Sequence, residues 1–377
     1  MPSRIATELA QLARLARDGG IDLSQVSLRV KADLLMSTPN PPAEDIADFC
    51  EMAVALIPSI DEATATILAR KLAGWRHTPQ PVLTALAARG GEVLVALLRH
   101  GMPLAVPDLE ALAETGEADV ALALAGRADL TPAACFALAN HAERAIDLAL
   151  IGNADAALPP AALDLLIARA RRDAAYGAGL LARDDIASSD LVPLFAQAGA
   201  KRRAAMIEAV AAIEALGPDE RRPAPGAEVF EGWLALAGAD RDGAFGAIAG
   251  HLGGGSDLAR ALAGDASRDL AAMALVASGI GVEAATRFLI RLGDETAHSV
   301  ERIFALVALM RDLRPAVAQR IVMQVAGVTT APTIRRGQHQ PAMAPGGTPA
   351  RPGAARPEAP ALIGDVMRKL GLRRSAP

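Results

Sequence analysis

With 377 residues, 52% of them hydrophobic but only 3% aromatic, and a formal charge of −5, the chain is too long for one compact core of ordinary size and has the wrong apolar residues for a β-sandwich or barrel. Its apolar surface is mostly alanine and leucine, which lose least on becoming helical. Residues 328–377 hold eight basic and two acidic side chains, so the body before them is more acidic than the total suggests, which argues against general nucleic-acid binding.

At the N-terminus Arg4, Glu8, Arg14 and Arg17 interrupt the apolar core that an export signal needs. Cys50 and Cys135 lie in unrelated segments and make neither a disulfide framework nor a metal-ligand pair. A cytoplasmic location is expected. No uncharged run approaches the roughly 18 to 20 apolar residues of a membrane span.

Residues 1–75 read as an N-terminal helical region. Ser3 caps a helix reaching Arg17, and Gly19-Gly20 ends it. Pro41-Pro42 opens the helix of AEDIADFCEMAVALI, SIDEATATILARKLAGW supplies another, and Trp75 is assigned to the core.

Over residues 76–216 the chain repeats itself. Leu130, Leu158 and Ile186, 28 residues apart, open LTPAACFALANHA, LPPAALDLLIARA and IASSDLVPLFAQAG. Thr131-Pro132, Pro159-Pro160 and Ser188-Ser189-Asp190 supply helix-start chemistry at matching places. MPLAVPDLEALAETG fits the same frame one unit earlier, and a second helix follows each opening one: EADVALALAGRAD, ERAIDLALIGNAD, RDAAYGAGLLARDD and AKRRAAMIEAVAAIEALG. A helix of about ten residues cannot bury its apolar face alone, so the hairpins are expected to stack into a solenoid. GPDERRPAPGAE, with 217–228 as its bounds, reads as a linker and 229–327 as a C-terminal helical region with a Gly253-Gly254-Gly255 loop and amphipathic runs EAATRFLIRLGD and SVERIFALVALMRDL. Residues 328–377 read as a disordered basic tail.

The phrase that recurs in LAGRADLTPAACFALANHAERAIDLALIGNADAALPPAALDLLIARA is an Ala/Leu helix, a polar turn, then leucine followed by proline or a small residue. It resembles the units of a bacterial family known as domain of unknown function 2336, over about residues 30–327. The resemblance implies repeats similar in style to HEAT units, and no activity or catalytic residues.

No chemical motif competes with that reading. Six histidines show no metal spacing, GHLGGGSD lacks the lysine of a phosphate loop, no Gly-x-Ser-x-Gly occurs, and Asp184-Asp185 reads as a solvated turn. No enzyme activity, cofactor, metal or catalytic residue is expected.

The expectation is an all-α protein, an α-solenoid of HEAT-like hairpins with helical caps, acting as a scaffold for an unidentified protein partner. The alternatives are a HEAT-like nucleic-acid-binding protein or glycosylase-like enzyme, and a structural subunit of an envelope or motility assembly. Partner-binding candidates are Arg171, Arg172, Lys201, Arg202 and Arg203, on a ridge passing from Glu117 and Asp119 to these cations. A second set is Ile363, Val366, Met367 and Leu370, one apolar stripe of a short helix over 361–371 that Gly371 would cap. That helix is expected to fold against a partner groove, with an anionic membrane surface or the chain's own acidic body as alternative acceptors.

Overall fold

The computed structural model describes residues 23–215, 217 and 222–328, and among them it is all-helical, with no strand. The helices expected at 3–17 and 361–371, with the second candidate set, lie outside the described residues.

Helices follow one another at short intervals: α1 (Leu23–Ser37), α2 (Ala43–Leu56), α3 (Glu62–Leu72), α4 (Gln80–Ala87), α5 (Gly91–Arg99), α6 (Val106–Thr115), α7 (Ala118–Ala125), α8 (Pro132–Asn140), α9 (Arg144–Gly152), α10 (Pro160–Ala170) and α11 (Ala174–Ala182). The starts are set by local chemistry. Thr131 accepts from the Ala134 amide at 3.1 Å while Pro132 takes the first helical position, and Pro160 does the same for α10. The third start departs from expectation. Six residues separate Leu191 from the extended Ala198, and Val192–Gln197 form a 3₁₀ helix rather than an α-helix.

Odd-numbered helices α1, α3, α5, α7, α9 and α11 each pack on the next odd-numbered one, and α6 on α8 on α10 on the 3₁₀ helix, so the hairpins lie in two layers. Helix α5 is a shared wall: Val93, Ala96 and Leu97 belong to the core that begins at Leu28, and Val95 and Leu98 to the core that runs on to Ala326.

Recurring polar side chains hold neighbouring hairpins in register. The turns after α7, α9 and α11 read GRAD, GNAD and ARDD. Arg127 donates to the carbonyls of Leu98 and Met102, both at 3.0 Å, and forks onto Asp129 at 2.8 and 2.7 Å. Asn153 donates to the Ala125 and Arg127 carbonyls at 2.9 and 2.6 Å. Arg183 reaches the carbonyls of Leu150, Ile151, Asn153 and Ala156 and forks onto Asp185. Each turn thus supplies side-chain donors to carbonyls at or just past the end of the preceding unit's second helix, where intrahelical donors run out.

Asp147 on α9, fully buried, receives the Arg169 guanidinium of α10 at 2.7 and 2.8 Å and the Tyr176 hydroxyl of α11 at 2.7 Å. Burial, then the hydrogen bond to Asp147, pushes the Tyr176 phenol up to about 12. The folded state therefore holds this proton more tightly than the unfolded chain. Stability from this contact is complete below pH 10 and is lost as pH rises toward 12. Tyr176 is the only tyrosine, so phenolate absorbance should report it alone, with a midpoint well above that of the denatured chain. Tyr176→Phe should flatten the alkaline fall in stability. A phenol that titrates near 10 in the folded chain would contradict the contact.

The remaining elements are α12 (Ala200–Glu214), α13 (Ala227–Ala239), α14 (Arg241–Leu252), α15 (Gly255–Gly264), α16 (Asp269–Ala277), α17 (Val282–Arg291), α18 (Glu295–His298), α19 (Val300–Asp312) and α20 (Pro315–Ala326). The three glycines from 253 to 255 form a sharper corner than a loop: Gly253 is the left-handed cap of α14, and Gly255 already begins α15. Every residue of α16 from Leu270 to Ala277 is buried, as a helix apolar all round must be. Helix α20 packs against α16, α15 and α12, and also against the 3₁₀ helix. One continuous core thereby joins Val95 to Ala326. Around the Pro-rich segment, Arg314 donates to the carbonyls of Glu214 and Gly217, and Arg222 donates to that of His251.

Candidate functional site

The five described partner-binding candidates have unlike surroundings. Lys201 is exposed, Arg202 half-buried and Arg203 buried. Arg202 donates to the carbonyls of Arg183 and Ile186 at 2.8 and 3.3 Å. Arg203 turns back under the 3₁₀ helix, donating to the Ala196 and Ala198 carbonyls at 2.9 and 2.7 Å with its guanidinium 5.1 Å over the Phe195 ring. It also meets Asp265 and Asp269, each at 3.0 Å, and Ser267. Arg302 of α19 binds Asp269 from its other side. Cations at the start of α12, which its dipole disfavours, are thus held by carbonyls and carboxylates of earlier and later segments. Only Lys201 of the three stands on an open ridge.

Arg172 is exposed and Arg171 half-buried. Arg171 donates to the Gln324 carbonyl at 2.7 Å, at the C-terminal end of α20, where a cation is favoured. Gly327, left-handed at φ +79°, caps that helix, and a Cβ there would stand 2.1 Å from Arg171 Nη1. Glycine suits the left-handed turn, and a side chain there would have to displace the Arg171 guanidinium. Desolvation lowers the pKa of Arg171, and its buried Nε has no partner among the described residues.

Two concavities meet at this side chain. A groove of about 930 Å³ runs along α10, past the turn at 185–190, to the end of α20. Leu158, Leu163, Ile167, Ile186 and Val328 give it an apolar floor, and Asp164, Asp185 and Asp190 lie along it. A cleft of about 410 Å³ opens on the other side, between the end of α10, the 3₁₀ helix, α15 and α20. Ala168, Arg171 and Pro193 line both. The cleft adds Arg172 and, from α15, Arg260 and Asp257, which pair at 2.8 Å.

Sequence reasoning marked Arg171 and Arg172 but missed Asp257, Arg260, Gln324 and Gly327. The i,i+3 spacing of Asp257 and Arg260 hints at their pairing, but no local pattern relates either to residue 171. Among the described residues no three His, Cys, Asp or Glu side chains are grouped to hold a metal ion. No described helix is long and apolar enough to cross a membrane.

Residues 93–222 match the profile of a family described as an uncharacterised protein conserved in bacteria (DUF2336), the family that the repeated phrases resemble, over a shorter span than those phrases led us to expect. No curated protein and no solved structure matches the chain.

Proposed function

We propose that this chain, with a segment of that family at its centre, is a non-enzymatic cytoplasmic scaffold. In this reading its hairpins form an α-solenoid of the HEAT style, and the groove along α10 receives a segment of a protein partner. The observation that carries the proposal is the continuity of groove and cleft across Ala168, Arg171 and Pro193. An apolar floor with charge at its margins suits a docked peptide, whose anchors bury apolar area while its ends stay solvated. Asp164, Asp185 and Asp190 along the groove oppose a nucleic-acid backbone.

Ala168 is exposed and lines both concavities, so it can be altered without disturbing the core. A photo-crosslinking residue at 168 should trap one partner in the native host. The same residue at Ala178, exposed on α11, should not. Ala168→Trp should abolish that crosslink partner's recovery at unchanged stability. Equal trapping from both positions, or recovery that survives the tryptophan, would remove the groove as the docking surface.

A further inference from the structure

The cleft beyond Arg171 differs in charge from the groove it continues. Arg171, Arg172 and Arg260 line it, and Asp257 is its one carboxylate. That carboxylate meets Arg260 through a single contact, Nη1 to Oδ1, with both side chains well exposed, at 64% and 46%. Arg171 forms its described hydrogen bond with a carbonyl, that of Gln324, and Asp257 acts on it only as a charge at longer range. Three guanidiniums against one carboxylate leave about two positive charges uncompensated, one of them half-buried and pinned by the end of α20. Arg127, Arg169, Arg183, Arg203 and Arg268 each hold an aspartate, and Arg89 and Arg202 are held by two carbonyls each.

The structure assigns this cleft as a receptor for a phosphate group carried on a side chain of the segment docked in the neighbouring groove. The inference rests on the docking reading and names what that site selects. A phosphorylated side chain brings about −1.5 to −2 charges and three acceptor oxygens, which matches the excess in the cleft. A carboxylate would leave one guanidinium uncompensated. Arg172, just past α10, and Arg260 on α15 line the cleft from two elements, and a guanidinium can fork onto a phosphate where an ammonium acts as a point charge. Arg171 is fixed by the Gln324 carbonyl, so part of the ordering entropy is already lost before binding. The apolar cleft residues Ala168, Pro193 and Val325 leave room beside the phosphate for the chain that bears it. Because the groove carries aspartates and the cleft arginines, the site reads polarity: a phosphorylated residue at one end, neutral or basic residues toward the other.

The full chain is titrated calorimetrically with inorganic phosphate, with O-phosphoserine and with acetate, at matched ionic strength and pH 7. O-phosphoserine should bind more tightly than inorganic phosphate, and acetate at least about tenfold more weakly than either. Arg172→Gln and Arg260→Gln, both at exposed positions, should each weaken phosphate at least about tenfold with an unchanged thermal midpoint, and Lys201→Gln should change nothing. Phosphate binding that acetate equals, or that survives both arginine replacements, overturns the inference. Inorganic phosphate bound more tightly than O-phosphoserine overturns the assignment to a side chain. Crosslinking from position 168 without a phosphate response would sink this inference alone, whereas a phosphate response without crosslinking would sink the docking reading and with it the assignment to a docked side chain.

Discussion

Reversing the charge of Arg203 should unfold the chain far more readily than reversing that of Lys201 two positions earlier. Arg203 is buried, and its partners Asp265 and Asp269 are drawn from beyond α15. The Asp265 side chain is fully buried. It also accepts from the Leu270 amide at 2.8 Å and the Ser267 hydroxyl at 2.6 Å, which hold it in place whether or not the guanidinium is there. Arg203→Glu would leave that carboxylate uncompensated, set a like charge beside it and free the carbonyls of Ala196 and Ala198. Breaking one side of a buried pair costs about 3–5 kcal/mol, and the added repulsion puts this substitution at the upper end. Lys201→Glu should stay within about 0.5 kcal/mol, as surface changes do. Urea denaturation followed by circular dichroism separates the two. Equal midpoints would mean that Arg203 does not fasten the repeats to α16.

Arg183→Met should be the other severe substitution. Its guanidinium serves four carbonyls, those of Leu150, Ile151, Asn153 and Ala156, at 2.6 to 3.3 Å. Methionine fills similar space but donates nothing. The Leu150 and Asn153 carbonyls keep the amides of Asn153 and Ala156 at 3.3 Å, so those of Ile151 and Ala156 are the ones left bare, at about 1–3 kcal/mol each. A total near 3–5 kcal/mol is expected, with Asp185 then free in solvent. Asn153→Ala also takes the donor from two carbonyls, but its amide is neutral, and bonds from a charged donor are roughly twice as strong, so it should cost roughly half as much. The order of the two urea midpoints is the check. Asn153→Ala falling below Arg183→Met would show that the turns do not work by supplying donors to the preceding unit.

What the sequence revealed follows from how far each signal acts. Helix starts were legible because a cap works within four residues: Thr131 caps α8, and Ser299 caps α19 by accepting from the Arg302 amide at 3.2 Å. The second helices α7, α9, α11 and α12 were legible from their apolar spacing. The turns GRAD, GNAD and ARDD were visible as a recurring phrase, yet their meaning was not. The carbonyls they serve stand 25 to 33 positions earlier, so Asp185 read as a solvated acid although its oxygens hold Arg183. The eight-residue apolar run of α16 could have been read as a buried helix from composition alone. The cleft was beyond reach, since Arg171, Arg260 and Gln324 obey no common period and meet only after α20 has folded back.

That fold-back sets a timetable for synthesis. Arg171 and the Gln324 carbonyl it grips are 153 positions apart. At about 5–20 residues per second, translation delivers the second partner roughly 8 to 30 s after the first. Hairpins from α6 to α11 can form as they emerge, because their partners are already outside the ribosome. The 3₁₀ helix packs on α20 as well as on α10, α11, α12 and α15, so Val192 and Leu194, buried in the finished fold, spend those seconds with its covering incomplete. Nascent chains of this protein therefore carry an apolar, arginine-edged end for a defined stretch of elongation.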